Sequence, residues 1–145
     1  MANDAISVKR VESGALIKFH DIKYGFVRGE DVEIVDNTTL KIDGDEISTV
    51  YIRYLNDGAL PKKDGMAELA ESARNGIGVA IRKERKELDM IQEDFTVSKW
   101  TISELERGLK MPEYATIKKI ANDLDMTWTE LLSKASLEMW RDYDE

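Results

Sequence analysis

The stretch from Ile91 to Pro112 constrains the fold of this chain more than any other part of the sequence. Ser98 can cap the first turn of a helix, and Gly108 can supply the left-handed residue that ends it. The spacing therefore predicts one short helix between these two residues. Ile102 and Leu105 lie three positions apart on one face of that helix. So narrow an apolar stripe leaves the opposite face available to a partner.

The residues on both sides extend this short helix into a longer pattern. Ile81–Phe95 precedes it and Glu106–Leu132 follows it without a break. The ordered set of motifs resembles the Cro and lambda-repressor type of helix-turn-helix domain, often called the XRE family. The resemblance covers about Gly76–Leu132, and it implies that the helix Val97–Arg107 enters the major groove of DNA.

The resemblance also implies which side chains contact DNA. It places Gln92 where family members commonly donate to a phosphate and brace the recognition helix. Lysine can reach guanine or a phosphate, hydroxyls can meet phosphates or bases, and tryptophan can pack on a thymine methyl group or a sugar. The other expected DNA-contacting residues lie in or next to the recognition helix: Ser98, Lys99, Trp100, Thr101, Glu104, Arg107 and Lys110.

Glu104 departs from the family pattern, which usually has a basic or amide residue at this position. A carboxylate can only accept hydrogen bonds, for example from cytosine N4, or repel the DNA. Arg85 and Glu106 follow the pattern, because several family members form a buried ion pair at these positions. The resemblance therefore implies the same pair here.

The second helix of the domain also departs from the pattern, since it is about one turn shorter than is usual. Only Thr96 separates Phe95 from Val97, where the family normally has several more residues. Ile91 stands at the usual capping position, and Asp89 with the glutamine three residues later can form a displaced capping box.

Residues 1–64 have the alternation and turn residues of β-strands. Two pairs of strands, Ile6–Glu12 with Ala15–His20 and Asp31–Asp36 with Thr39–Asp43, flank short polar turns. Ser48–Leu55 has the most regular alternation and is predicted as a further strand. The pattern predicts a small, mostly antiparallel β domain of about four to six strands.

Residues 65–75 predict a linker with a short helix, and residues 76–145 predict the helix-turn-helix domain with an acidic C-terminal extension. Its first helix should begin near Gly76, with Ile77, Ile81 and Leu88 on one side. A fourth helix is expected near residues 114–124, and a capping box at Thr127 should start the fifth. The predicted fold is α+β, a small β domain followed by a five-helix domain.

The composition excludes several classes of site. The chain has no cysteine and one histidine, so a thiolate or histidine metal cluster is excluded. No catalytic constellation, cofactor motif or membrane-spanning run is evident, which predicts a soluble, cytoplasmic protein without enzyme activity. The net charge of −8 is unfavourable for binding phosphates. Acidic and basic residues nearly balance between Gly76 and Lys119, however, so the acid is concentrated outside the expected DNA-facing part.

These features predict a sequence-specific regulator of transcription that binds double-stranded DNA, most readily a repressor of the antitoxin type or of the phage or mobile-element type. A homodimer would present two recognition helices to half-sites ~34 Å apart. The β domain would then dimerise, or bind a partner protein or a small ligand. The alternative is a protein-interaction module that uses the helix-turn-helix scaffold without binding DNA.

Overall fold

The computed structural model describes residues 6–11, 14–19, 24–28, 32–36, 39–51 and 66–143. The chain divides into two compact units, Met1–Leu60 and Pro61–Glu145. The described residues of the first unit are mainly β-strands and those of the second are mainly helical, so the fold is α+β, as predicted. No helix among the described residues has both the length and the apolar character needed to cross a bilayer.

The first sheet contains three antiparallel strands in the order β1-β2-β3. These strands are β1 (Ile6–Val11), β2 (Gly14–Phe19) and β3 (Tyr24–Arg28). The register pairs Ile6 with Phe19 and Val11 with Gly14, which confirms the predicted hairpin. The strand β3 was not among the predicted strands.

The second sheet is also antiparallel, in the order β4-β5-β6. It contains β4 (Val32–Asp36), β5 (Thr39–Ile42) and β6 (Asp45–Ser48). Asp43 and Gly44 both have positive φ, which is the geometry of a tight two-residue hairpin turn. Leu40, Ile42 and Ile47 are fully buried and form the apolar side of this sheet.

The predicted strand Ser48–Leu55 is wrong at residues 49–51, because only Ser48 of its described part lies in a strand. Directly after the tight turn, Asp45 pairs with Ile42, so β6 begins three residues earlier than predicted. It ends at Ser48, which pairs with Thr39, the first residue of β5. Residues 49–51 are helical. The Ser48 hydroxyl accepts a hydrogen bond from the Val50 N–H at 3.3 Å, which offers the backbone a helical start in place of a ladder. Residues 52–55 lie outside the described residues.

The second unit contains five helical elements in its described part, as predicted. They are α1 (Met66–Glu87), a 3-10 segment (Gln92–Asp94), α2 (Lys99–Glu106), α3 (Tyr114–Asp123) and α4 (Trp128–Tyr143). The capping box at the start of α4 is confirmed. Thr127 Oγ1 accepts from the Glu130 N–H at 3.1 Å, and the Glu130 carboxylate accepts from the Thr127 N–H at 3.0 Å.

The start and end of α1 differ from the prediction. No new helix begins near Gly76, because α1 runs unbroken through this position. Gly76 allows close packing rather than a break, since a Cβ there would lie 2.6 Å from the Ala135 carbonyl oxygen of α4. The helix ends at Glu87, and Leu88 is 48% exposed rather than buried with the apolar face.

The core of the second unit joins α1 to the other helices. Ile77 and Ile81 of α1 are completely buried, as predicted. Apolar residues from the remaining helices complete the core: Ile102, Leu105, Ile117, Ile120, Ala121, Leu124, Leu131, Leu132, Ala135 and Met139. This core holds α2 by its apolar face and leaves its other face outside.

Candidate nucleic-acid interface

The two ends of α2 are fixed as the sequence predicts. Ser98 precedes the helix in an extended conformation, and its Oγ accepts from the Thr101 N–H at 3.2 Å. Gly108 follows the helix with φ of 72°, a conformation that costs glycine little. Ile102 and Leu105 are buried. The helix is therefore short and well capped, and it is attached to the core along one side.

The outward face of α2 presents one large aromatic residue among charged ones. Trp100 is 75% exposed, and Lys99 beside it is also exposed. Glu104 lies one turn beyond Trp100 on the same face, and the exposed Arg107 directly follows the helix. The structure thus brings four of the eight expected DNA-contacting residues onto one surface, and a fifth, Lys110, lies beside them, 3.2 Å from Glu104. We call Lys99, Trp100, Glu104 and Arg107 the outer face of α2.

Ser98 and Thr101 already have partners within the protein. The Ser98 hydroxyl donates to Thr101 Oγ1 at 3.1 Å while it caps the helix. Both side chains lie at the N-terminal end of α2, where the unpaired backbone N–H groups favour an anion. Contact between these residues and DNA stays a prediction, and the local structure gives each a capping role as well.

The two lysines expected at DNA are paired with carboxylates. Lys99 Nζ lies 3.2 Å from Glu93 Oε2, and Lys110 Nζ lies 3.2 Å from Glu104 Oε1. All four side chains are about half exposed, so each pair contributes at most about 1 kcal/mol to stability. The pairs instead reduce the positive potential of the surface that faces away from the core.

The predicted ion pair between Arg85 and Glu106 is confirmed and lies on the inner side of α2. Arg85 Nε donates to Glu106 Oε2 at 2.7 Å, and its Nη2 donates to Oε1 at 3.0 Å. The side chains are only 14% and 6% exposed, respectively. Hydrogen bonding to Glu106 raises the pKa of Arg85 above its usual value, so the guanidinium stays charged. This bidentate pair joins α1 to the end of α2.

Gln92 also contacts the ion pair. Its Nε2 donates to Glu106 Oε1 at 3.1 Å. Arg85 Nη1 donates to the Met90 carbonyl oxygen at 3.0 Å, which holds the turn just before the 3-10 segment. Gln92 therefore braces the recognition helix, and its second amide N–H makes no hydrogen bond with the described residues. Donation from that group to a phosphate stays a prediction.

The shortened second helix is a 3-10 segment of three residues. The predicted capping box of Asp89 with Gln92 is wrong. Asp89 has φ of 55° and lies in the turn that closes α1, where its N–H bonds to the Lys86 carbonyl oxygen at 3.1 Å. Asp94 caps the segment instead, because its Oδ2 accepts from the Ile91 N–H at 2.9 Å.

Two contacts that position α2 were not predicted from the sequence. Thr96 is bound through both its N–H and its hydroxyl to Asp123, at the end of α3. Gly78 of α1 lies so close to α2 that a Cβ on it would clash with the Leu105 carbonyl oxygen. A glycine inside a helical pattern is a weak indication of close packing, whereas nothing in the sequence pairs residues 27 positions apart.

No cluster of three or more potential metal ligands occurs in the described part of the chain. The helix α2 is firmly attached to the core, and its exposed face has an aromatic side chain together with positive and negative charges. These groups can donate to, accept from and pack against the edges of base pairs.

Comparison with known proteins identifies this arrangement. A family model described as helix-turn-helix matches residues 81–131, from the last two turns of α1 to the start of α4. Neither the curated proteins nor the solved structures include a match to the chain. The matched segment includes the Arg85–Glu106 pair, the 3-10 segment, α2 and α3. Residues 81–131 therefore form a helix-turn-helix domain of the Cro and lambda-repressor type, in the XRE family of DNA-binding transcription regulators.

Proposed function

We propose that this protein is a sequence-specific transcriptional repressor that binds double-stranded DNA as a homodimer. The proposal rests on the attachment of α2. Ile102, Leu105 and Glu106 hold its inner side, while Lys99 and Trp100 project from the outer face. A helix held this firmly can enter a major groove without losing its own contacts.

The charges on and next to the outer face support modest, selective binding. Lys99 and Lys110 are paired with acids, and the whole chain has a net charge of −8. Nonspecific affinity comes almost entirely from basic groups that neutralise phosphates. A surface whose lysines are already paired gains less from phosphates alone, so base contacts must supply a larger share of the specific affinity.

We favour repression over activation because repression needs no protein surface other than the one that binds DNA. A dimer that occupies about two successive turns of DNA blocks access to a promoter without any further surface. The separate unit Met1–Leu60 would supply the dimer contact, or would bind a partner protein or a small ligand. Ile34 and Val35 on β4 are both 45% exposed, and these apolar side chains would contribute to such a contact. This layout supports a regulator of the antitoxin or mobile-element type.

Selection of bound duplexes from a random pool tests the proposal directly. We expect a preferred sequence with two related half-sites separated by about one helical turn, ~34 Å. Lys99→Ala should then weaken operator binding by about 1–3 kcal/mol and relax the preference at one base pair. Lys134→Ala is the matched control. Lys134 is on α4, is as exposed as Lys99, and is also paired with a glutamate, Glu84 at 3.5 Å.

Two outcomes would contradict this assignment. If the random pool yields no preferred sequence, the proposal of sequence-specific binding is wrong. If Lys99→Ala and Lys134→Ala change the affinity for the operator equally and both keep the helicity of the parent, Lys99 does not contact the DNA.

The exposure of Trp100 supports a second candidate function, which is binding to another protein. Tryptophan is the residue most enriched among those that dominate the energy of protein interfaces. Leu109, directly after the helix-ending glycine, is also 59% exposed. Retention on nonspecific duplex DNA at low salt distinguishes the candidates, because only a DNA-binding protein is retained and then released as the salt concentration rises.

A further inference from the structure

The carboxylate of Asp123 makes two hydrogen bonds to a single residue of the helix-turn-helix segment. The Thr96 N–H donates to Oδ2 at 2.7 Å, and the Thr96 hydroxyl donates to Oδ1 at 2.9 Å. Both carboxylate oxygens are thus used for one residue. Charge-assisted bonds of this length are stronger than neutral ones. Thr96 lies two positions before Ser98, the capping residue of α2.

Asp123 is in an unfavourable position for the helix that contains it. It is the last residue of α3, where the backbone carbonyl groups give the helix end a partial negative charge. A carboxylate there opposes the helix dipole, whereas a lysine or arginine would favour it. The helix end itself is fixed, because Leu124 is buried and its N–H bonds to the Ile120 carbonyl oxygen at 3.0 Å. The contact with Thr96 is therefore what Asp123 stabilises.

The segment before α2 needs such a contact. The 3-10 segment ends at Asp94, and Phe95 is already extended, with φ of −84° and ψ of 152°. No helical hydrogen bond therefore sets the direction of the chain from Phe95 to Ser98. Phe95 is buried and anchors one end of this connection, and Thr96 anchors the next residue through Asp123.

We infer that Asp123 is a positioning residue for DNA reading, which fixes through Thr96 the direction of the N-terminal end of α2. This inference rests on the proposed function and adds a residue outside the recognition helix to it. The C-terminal end of α2 is held separately by the Arg85–Glu106 pair. Loss of the Thr96 contact therefore frees the end that holds Lys99 and Trp100, and leaves the core attachment in place.

Specific and nonspecific binding should respond differently. Base contacts require the side chains to lie within hydrogen-bond reach of particular atoms, whereas phosphate contacts tolerate displacement. Asp123→Ala should lower the ratio of operator affinity to scrambled-duplex affinity about threefold to tenfold, the loss expected for hydrogen bonds that are exposed to solvent. Affinity for the scrambled duplex should stay the same or rise, because a negative charge is removed.

Three variants separate positioning from a simple loss of stability or charge. Asp123→Asn keeps an acceptor for the Thr96 N–H and can donate to the Thr96 hydroxyl, so we expect it to recover most of the ratio. Asp125→Asn is the matched control. It removes the same charge near the same helix end, and asparagine tolerates the positive φ of 62° at this position. Thr96→Val leaves α3 unchanged and should reduce the ratio in the same direction as Asp123→Ala.

The measurements are titrations of each variant against the selected operator and its scrambled form, with thermal unfolding and amide hydrogen exchange at Thr96. Faster exchange at Thr96 together with a lower ratio and a nearly unchanged unfolding temperature would support the inference. An unchanged ratio in Asp123→Ala, or an equal loss on both duplexes with a large fall in unfolding temperature, would overturn it. If Asp123→Ala does not fold, an unchanged ratio in Thr96→Val overturns it equally. A parent protein that selects no sequence overturns the proposed function first, and the inference with it.

Discussion

Glu106→Ala is the substitution that most directly tests how α2 is attached. Glu106 accepts three hydrogen bonds, two from Arg85 at 2.7 and 3.0 Å and one from Gln92 at 3.1 Å. Its removal leaves the Arg85 guanidinium charged at a position where the side chain is only 14% exposed. The nearest remaining hydrogen-bond acceptor for Arg85 is the Met90 carbonyl oxygen.

The expected cost follows from this stranded charge. Breaking a buried ion pair by removing one partner costs about 3–5 kcal/mol, because the other partner has lost its compensation without regaining water. Folded domains have total stabilities of about 5–15 kcal/mol. For a unit of this size, the loss corresponds to a fall of roughly 12–40 °C in the unfolding temperature. We expect Glu106→Ala to lose a large share of the free energy of unfolding of the helical unit.

Urea unfolding followed by circular dichroism measures this cost. Glu104→Ala is the matched control, because Glu104 is two residues earlier on the same helix but is about half exposed and paired with Lys110. Its removal should cost no more than about 1 kcal/mol. The double variant Arg85→Met with Glu106→Leu should recover much of the lost stability, since it removes both charges and keeps apolar volume.

A small effect would refute this reasoning. If Glu106→Ala and Glu104→Ala lose similar stability, the Arg85–Glu106 pair does not attach the recognition helix. Failure of the double variant to recover any stability would indicate that the geometry of the hydrogen bonds, rather than the stranded charge, produces the loss.

Three further substitutions test other contacts of the helical unit. Gly78→Ala should cost about 1–3 kcal/mol or more in urea unfolding, since the added methyl group meets the Leu105 carbonyl oxygen, which cannot rotate away; a neutral result would mean that α1 and α2 separate easily. Thr127→Ala removes the hydroxyl that caps α4 and should lower the free energy of unfolding by about 0.5–2 kcal/mol. Unfolding curves that coincide with those of the parent would contradict this capping role. Glu104→Gln releases Lys110 and should raise the affinity for scrambled duplex while lowering the specific-to-nonspecific ratio; parallel titration curves for parent and variant on both duplexes would place Glu104 outside the DNA-reading surface.

The sequence was sufficient to predict the helical unit where its structure depends on local contacts. The ends of α2 follow from Ser98 and Gly108, and the start of α4 follows from the capping box at Thr127. Each of these contacts joins residues only a few positions apart, so spacing alone identifies them. The Arg85–Glu106 pair was predicted only because the family resemblance assigns both positions.

The errors occurred where a neighbouring turn or a tertiary contact overrides the preference of the segment itself. Ser48–Leu55 has strand-like alternation, but the tight turn at Asp43 and Gly44 sets the register of β6 and completes it early. Gly76 would normally weaken a helix, yet it lies where α1 packs closely on α4. The bond between Thr96 and Asp123 could not be predicted, because it depends on how two helices meet in space.

The attachment of α2 also determines how readily this protein can change its preferred DNA sequence during evolution. Ile102, Leu105 and Glu106 attach this helix to the rest of the unit. The close approach of Gly78 to the Leu105 carbonyl oxygen adds a contact that involves main-chain atoms alone. Lys99, Trp100 and Glu104 project away from the core, so substitutions there should alter recognition at little cost to folding. A library varied at these three positions should therefore contain mostly folded members, from which new operator preferences can arise in single steps.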